Sequence, residues 1–322
     1  MTQKLIIDAD PGIVDALAIL VAMVDPTVDL LALTATSGAV SGVQATRNLH
    51  FLTGLADPLK HPRIGQSDLP GESLPELPAG MPSPSQLNGR FGLGELQPNV
   101  PDLHNRRESA KLIVDVVREF PGEVRILTLG PLTNVSLAID LEPELPLLLN
   151  GLVILGGAFA AGGDVTPVAE FNIWSDPSAA RSVIRSPIAK TILPLDVTQN
   201  AGLNFEDIEH LSGLIPSTPI GELVTSLMQF AVRATHQFLP RESIAIPAVC
   251  ALAVAARSER FTVKSRSIDV ETRGDLCNGM MVMDQRPFRI AHPNVDIVTE
   301  IDDAAVVDYF CRNIRRVSGL VT

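Results

Sequence analysis

One stretch near the start of the chain concentrates residues able to do chemistry: Asp8-Ala9-Asp10-Pro11-Gly12-Ile13-Val14-Asp15. The apolar run before it reads as a strand, and the run after it reads as a helix. Asp10 then stands at the carboxyl end of a strand, where open parallel sheets bind their ligands. Asp15, about one helical turn further on, can face back toward it. Two converging carboxylates suit a hard cation such as Ca²⁺, which takes six to eight oxygens. The same residues could instead cap the helix and complement its dipole.

Such a pair works only if other elements hold it. Lys4–Asp8, Val28–Thr36, Val124–Leu129, Leu152–Leu155 and Thr191–Leu195 are short apolar runs with the character of strands buried on both faces. Helical spacing separates them, from about Ile13 to Val24, from Glu108 to Phe120, and from Gly130-Pro131-Leu132-Thr133-Asn134 through about Ile139. This alternation predicts an α/β fold, a mainly parallel, Rossmann-like open sheet flanked by helices. Two segments break the rhythm. Gly65–Asn105 is rich in Pro, Gly and Ser, and a stretch this long is expected to be an active-site loop. Gly156–Pro167 is glycine-rich and runs into Ala169-Glu170-Phe171-Asn172. The strand and helix alternation resumes after the first loop, so residues 1–322 are expected to form one domain.

Composition narrows the partners. The 322 residues are 46% hydrophobic and 19% charged, which predicts a large buried core. A formal charge of −12 argues against nucleic acid and anionic membrane, both of which attract a basic face. Cys250, Cys277 and Cys311 are widely spaced, without metal-type pairing, and read as apolar residues in a reducing compartment. No apolar run approaches the roughly 20 residues of a membrane span. The start of the chain shows no secretory signal, and a cytoplasmic location is expected.

Taken together, the opening Asp-x-Asp-Pro-Gly, Gly130–Asn134, Asp164-Val165-Thr166-Pro167-Val168-Ala169-Glu170-Phe171-Asn172, Asp176-Pro177, Pro194-Leu195-Asp196-Val197-Thr198 and the strand-like Val270–Gly274 resemble the inosine-uridine-preferring nucleoside hydrolase family. The resemblance runs from residue 4 to about residue 300. An Asp-x-Asp after a strand also opens phosphatases of the haloacid dehalogenase type, but that class has Thr or Val where this chain has Gly12.

The resemblance implies a hydrolase of nucleoside salvage that cleaves the N-glycosidic bond of a ribonucleoside through an oxocarbenium-like transition state. It implies a Ca²⁺ ion held by Asp10, Asp15 and the backbone carbonyl of Leu129, with Asp10 also the catalytic base. Asp164, Glu170, Phe171, Asn172 and Asn88 are implied to contact the substrate. The family further suggests a small nucleoside-like substrate and a homodimer or homotetramer.

Several positions depart from the family pattern. Val14 stands where an aspartate is usual, Ala39 where an asparagine is usual, and Asn88 where a histidine is common. Ile244 and Ala245 replace a His-Asp pair, of which the Asp completes the calcium site and the His protonates the leaving base. Glu242 and His236 are the nearest substitutes. These departures predict a weakened metal site and a more apolar pocket, and they leave a second reading open, a non-catalytic small-ligand-binding protein on the same scaffold.

Overall fold

The computed structural model describes residues 2–67, 77–100, 107–239, 241–256, 261–286 and 292–319. Strand β1 (Gln3–Ala9) is followed by helix α1 (Ile13–Val24), β2 (Val28–Ala35) and α2 (Gly42–Ala56). Next come β3 (Arg63–Gly65), α3 (Pro84–Asn88), α4 (Ser109–Glu119), β4 (Val124–Thr128), α5 (Thr133–Leu141), β5 (Gly151–Leu155) and β6 (Lys190–Leu193). These six strands, then Val295–Ile301 and Phe261–Arg266, form an eight-stranded sheet in the order β3-β2-β1-β4-β5-β6 followed by those two. All neighbours are parallel except Phe261–Arg266, which pairs antiparallel with Val295–Ile301. The mainly parallel α/β architecture is therefore as expected.

The pleat sorts the side chains into two cores. Leu5, Ile7, Leu33, Leu127 and Val153 face one way, toward α1 and the helices Pro247–Ala256 and Asp303–Val317. Ile6, Ala32, Ile126, Leu152 and Ile154 face the other, toward α4, α5 and Pro177–Arg185. Residues Leu5–Ala9 are buried throughout, which explains why this strand reads as a continuous apolar run.

The chain order creates the cleft. From β1 the chain moves outward through β2 and β3, then returns to place β4 on the opposite side of β1. The loops after β1 and β4 consequently diverge, and a crevice opens at this switch point. Register is shared across it: Asp8 pairs with Thr34 on one side and Thr128 on the other.

Sequence boundaries shift in three places. The run Thr191–Leu195 stops as a strand at Leu193, because Pro194 precedes the helical turn Leu195–Thr198. Val270–Gly274 is not a strand; the strand is Ile268–Val270, and the chain turns afterwards. The long loop contains the short helix α3, while its residues 68–76 and 101–106 lie outside the described residues. The sheet-edge strand Phe261–Arg266 escaped notice because it is mostly exposed and polar in pattern.

One buried carboxylate ties the strands at the switch point. Asp8 is fully buried; its Oδ1 accepts from Thr34 Oγ1 at 2.5 Å and from Asn134 Nδ2 at 2.8 Å. Asn134 Nδ2 also donates to the Ala35 carbonyl at 2.8 Å. The first turn of α5 is thereby fastened to β1 and β2. Asn134→Ala removes one donor from each of two buried acceptors, which keep Thr34 and Ser109 as partners, and is expected to cost about 1–3 kcal/mol in urea unfolding.

Candidate active site

Asp10 lies just past β1, only 3% exposed, with its Oδ2 accepting the Ala39 N–H. Its neighbours are glycines for a steric reason. A Cβ at Gly38 would sit 1.9 Å from Asp10 Oδ2, and one at Gly130 would sit 2.3 Å from Oδ1. Burial, then the nearby Asp15 charge, pushes the Asp10 carboxyl well above the usual carboxylate range. Burial also raises Asp15, to about 7, against the pull of a backbone hydrogen bond at Gly12. The two carboxylates expected to converge do so.

The middle segment reaches the same place from the other side of the crevice. Glu170 is buried and caps the short helix Phe171–Ser175: Oε1 accepts from Asn172 N at 3.0 Å and Oε2 from Ile173 N at 3.3 Å. Oε2 also accepts from Gly157 N at 2.8 Å. Burial and the adjacent Asp164 raise Glu170 to about 8, while the three N–H donors pull it down. Asn172 Nδ2 donates to the carbonyls of Leu129 (2.8 Å) and Leu155 (3.0 Å), clamping the ends of β4 and β5. Leu129 adjoins Gly130, which packs on Asp10, so Asn172 and Asp10 are linked through one short backbone segment.

Sequence neighbours and bonding partners of these residues line a hollow of about 400 Å³, within the range of small-molecule sites. Val14, Ala39, Asn88, Asp164, Phe171, Ile244 and Ala245 line it, along with residues of the helix Pro219–Phe238. Asp10, Asp15, Glu170 and Asn172 are not in the lining but adjoin it: Asp10 accepts the Ala39 N–H, Asp15 follows Val14, and Glu170 and Asn172 flank Phe171. Two larger depressions, about 510 and 780 Å³, surround Met283–Arg286 near the antiparallel edge of the sheet. The first includes Pro194, Asp196 and Val197 of one family motif, but neither includes an expected catalytic, substrate or metal residue.

Several singled-out residues also have structural work. Asn88 Oδ1 accepts the Ile13 N–H at 3.0 Å, capping α1 from the long loop while it lines the hollow. Asp164 Oδ1 accepts from Phe171 N at 2.9 Å. Asp164 is solvent-exposed at the rim; the protein crowding it moves its carboxyl to about 6, with the Phe171 N–H and the Arg241 charge among the opposing influences. Thr133 Oγ1 donates to Asp176 at 2.7 Å, and Asp196 accepts the N–H groups of Phe159, Ala160 and Ala161. Those two motifs are braces between loops.

Neither substitute for the missing His-Asp pair reaches the site. Glu242 is exposed and absent from the lining, and His236 is exposed on its helix. Arg241, Thr198, Gln199 and Thr235 line the hollow without having been singled out as site residues. Thr198 and Gln199 come from the turn after β6, Thr235 from the helix Pro219–Phe238 and Arg241 from the segment after it.

The calcium ion implied by the resemblance meets a poor donor set. Two carboxylates and one carbonyl are present, Asp10 Oδ2 already holds the Ala39 N–H, and the Leu129 carbonyl already holds Asn172. Ile244 and Ala245 offer no side-chain donor. Among the described residues no three His, Cys, Asp or Glu side chains gather as a metal site. These residues do not fit a calcium ion that needs six to eight oxygens.

The family model described as inosine-uridine preferring nucleoside hydrolase matches residues 5–308. The chain belongs to this family. It is 33% identical to Uridine nucleosidase 1 of Arabidopsis thaliana, over 95% of this chain and 91% of that protein. Identity to the pyrimidine-specific ribonucleoside hydrolase RihA of Salmonella arizonae is 31%, covering 98% and 99%. Among solved structures, a purine-preferring ribonucleoside hydrolase from Gardnerella vaginalis superposes with a TM-score of 0.86 at 25% identity, covering 99% and 100%. A plant nucleoside hydrolase gives 0.85 at 26%, covering 98% and 99%. The nucleoside hydrolase fold and an N-glycosyl hydrolase activity are thus those expected, and the non-catalytic alternative gains no support. Among the described residues, no helix is long and apolar enough to cross a membrane.

Two outcomes test this geometry. Gly38→Ala should displace the Asp10 carboxylate and lower kcat/KM about 10²-fold, whereas Gly54→Ala, with nothing within 4 Å of the added Cβ, should leave it unchanged. Glu170 binds its proton more tightly folded than unfolded, so its contribution to stability falls as pH rises from about 4.5 to about 8. Glu170→Gln should lower Tm by losing one N–H acceptor, yet flatten the decline of Tm between those pH values.

Proposed function

We propose that the hollow at the switch point binds a ribonucleoside or related N-riboside, and that Asp10 acts there as the general base. The observation that carries this reading is the placement of a buried carboxylate behind a sugar-sized hollow, at the crevice between β1 and β4. A water molecule would give its proton to Asp10 as its oxygen bonds to the anomeric carbon. The C–N bond breaks ahead of that attack, its electron pair leaves with the base, and the base takes up a proton, so the sugar carries positive charge as the water oxygen reaches it. The buried carboxylates behind the lining favour the positive charge that develops on the sugar.

Asp164 at the rim and Asn88 at the wall offer polar atoms to the sugar, and Phe171 offers a ring face to an aromatic base. Glu170 and Asn172 act in this reading mainly by shaping the hollow, because their polar atoms hold backbone groups at the ends of β4 and β5. Uridine is the first substrate to test, given the names of the two curated relatives. The reading includes one domain, a small-molecule substrate in place of nucleic acid on a net charge of −12, and a homodimeric or homotetrameric assembly in the cytoplasm.

Release of base from uridine and inosine, followed by chromatography, tests the reading. Asp10→Asn keeps an acceptor for the Ala39 N–H and should lower kcat/KM by about 10²–10⁴-fold with an unchanged fold by circular dichroism. An Asp10→Asn protein as active as wild type removes Asp10 from this role.

A further inference from the structure

The wall of the hollow beside Asp10 and Asp15 carries apolar side chains at four positions. Val14 immediately precedes Asp15 in α1, and Ala39 immediately follows Gly38, which packs on Asp10. Ile244 and Ala245 enter from the strand Ser243–Ala245, which pairs with Gly202–Asn204 and is held there by Leu203↔Ile244 and Gly202↔Ala245. All four line the same hollow. None of their side chains carries an oxygen or nitrogen; the ionisable residues of the lining, Asp164 and Arg241, belong to other segments of the wall.

Two of the oxygens that are present are already engaged. Asp10 Oδ2 is tied to the Ala39 backbone, and the Leu129 carbonyl to the Asn172 amide. Calcium affinity follows the number and charge of the ligands. A pair of carboxylates with one shared carbonyl, facing an apolar wall, falls at the weak extreme of that relation.

We infer that this nucleoside hydrolase works without a resident calcium ion, and that Val14 and Ala245 are the two positions that exclude it. The inference rests on the hollow being the nucleoside site, and its test reads metal binding separately from cleavage. The sugar is oriented here by protein side chains, and the Asp10 carboxylate is held by the Ala39 backbone N–H.

The experiment uses the full chain stripped with EDTA and titrated with Ca²⁺ by calorimetry. Wild type is expected to show no saturable binding up to about 1 mM, the weak end of protein calcium sites. Val14→Asp combined with Ala245→Asp adds two carboxylates to the wall and should bind one Ca²⁺ at least about 10-fold more tightly than that limit. Ala245→Asp alone serves if the double variant does not fold, since Ala245 is only partly buried. Saturable one-to-one binding by wild type below about 100 µM overturns the inference, since that is within the range of functional calcium sites. So does a cleavage rate that rises more than about 10-fold when Ca²⁺ replaces EDTA, the factor equivalent to 1.36 kcal/mol of barrier. Absence of cleavage under both conditions, with no calcium bound, counts against the proposed function and leaves the metal inference standing.

Discussion

Burying carboxylates at the carboxyl ends of central strands is the constraint that organises this protein. An ionised carboxylate removed from water is expensive unless hydrogen bonds or opposite charge replace its hydration. Asp8 meets that demand with Thr34 and Asn134, drawing β2 and α5 onto β1. Asp10 meets it with the Ala39 N–H, which fixes the loop after β2 against the loop after β1. Glu170 meets it with three backbone N–H groups. Asp10 and Glu170 hold backbone N–H groups, whereas Asp8 holds the side chains of Thr34 and Asn134.

This arrangement explains why scaffold and site are hard to separate. Gly38 and Gly130 leave room for Asp10, so two loops approach more closely than side chains would permit. Asn172 clamps β4 to β5 within a few residues of the same glycine. Asn88 both caps α1 and lines the hollow. The groups that shape the surroundings of the hollow are also the groups that satisfy buried polar atoms. Preorganisation of this kind lets fixed dipoles face a developing charge without reorganising during reaction.

The apolar replacements fall on a different part of the cavity. Val14, Ala39, Ile244 and Ala245 change the wall that faces the carboxylates and leave the clamps behind them untouched. The fold therefore survives their presence, since the braces at Asp8, Asn134, Asn172 and Asp196 are all in place. Fold and site chemistry vary independently here, as they do across scaffolds that host many functions.

The sequence by itself determined the class of fold and most element boundaries near the site. Continuous apolar runs such as Lys4–Asp8 can only be strands buried on both faces, and Ile13–Val24 emerged as the helix expected. It also placed Asp10 at a strand end, because the run breaks at Asp10-Pro11-Gly12. Tertiary structure decided what those side chains touch. Nothing in the spacing says that Asn172 spends its amide on two carbonyls, that Glu170 caps a helix, or that Arg241 and Thr235 reach the hollow. Glu242 and His236 looked available by proximity in the chain and are turned to solvent. Local periodicity reports which face of an element is buried. Which partners meet across the crevice depends on long-range packing of strands and helices that are far apart along the chain.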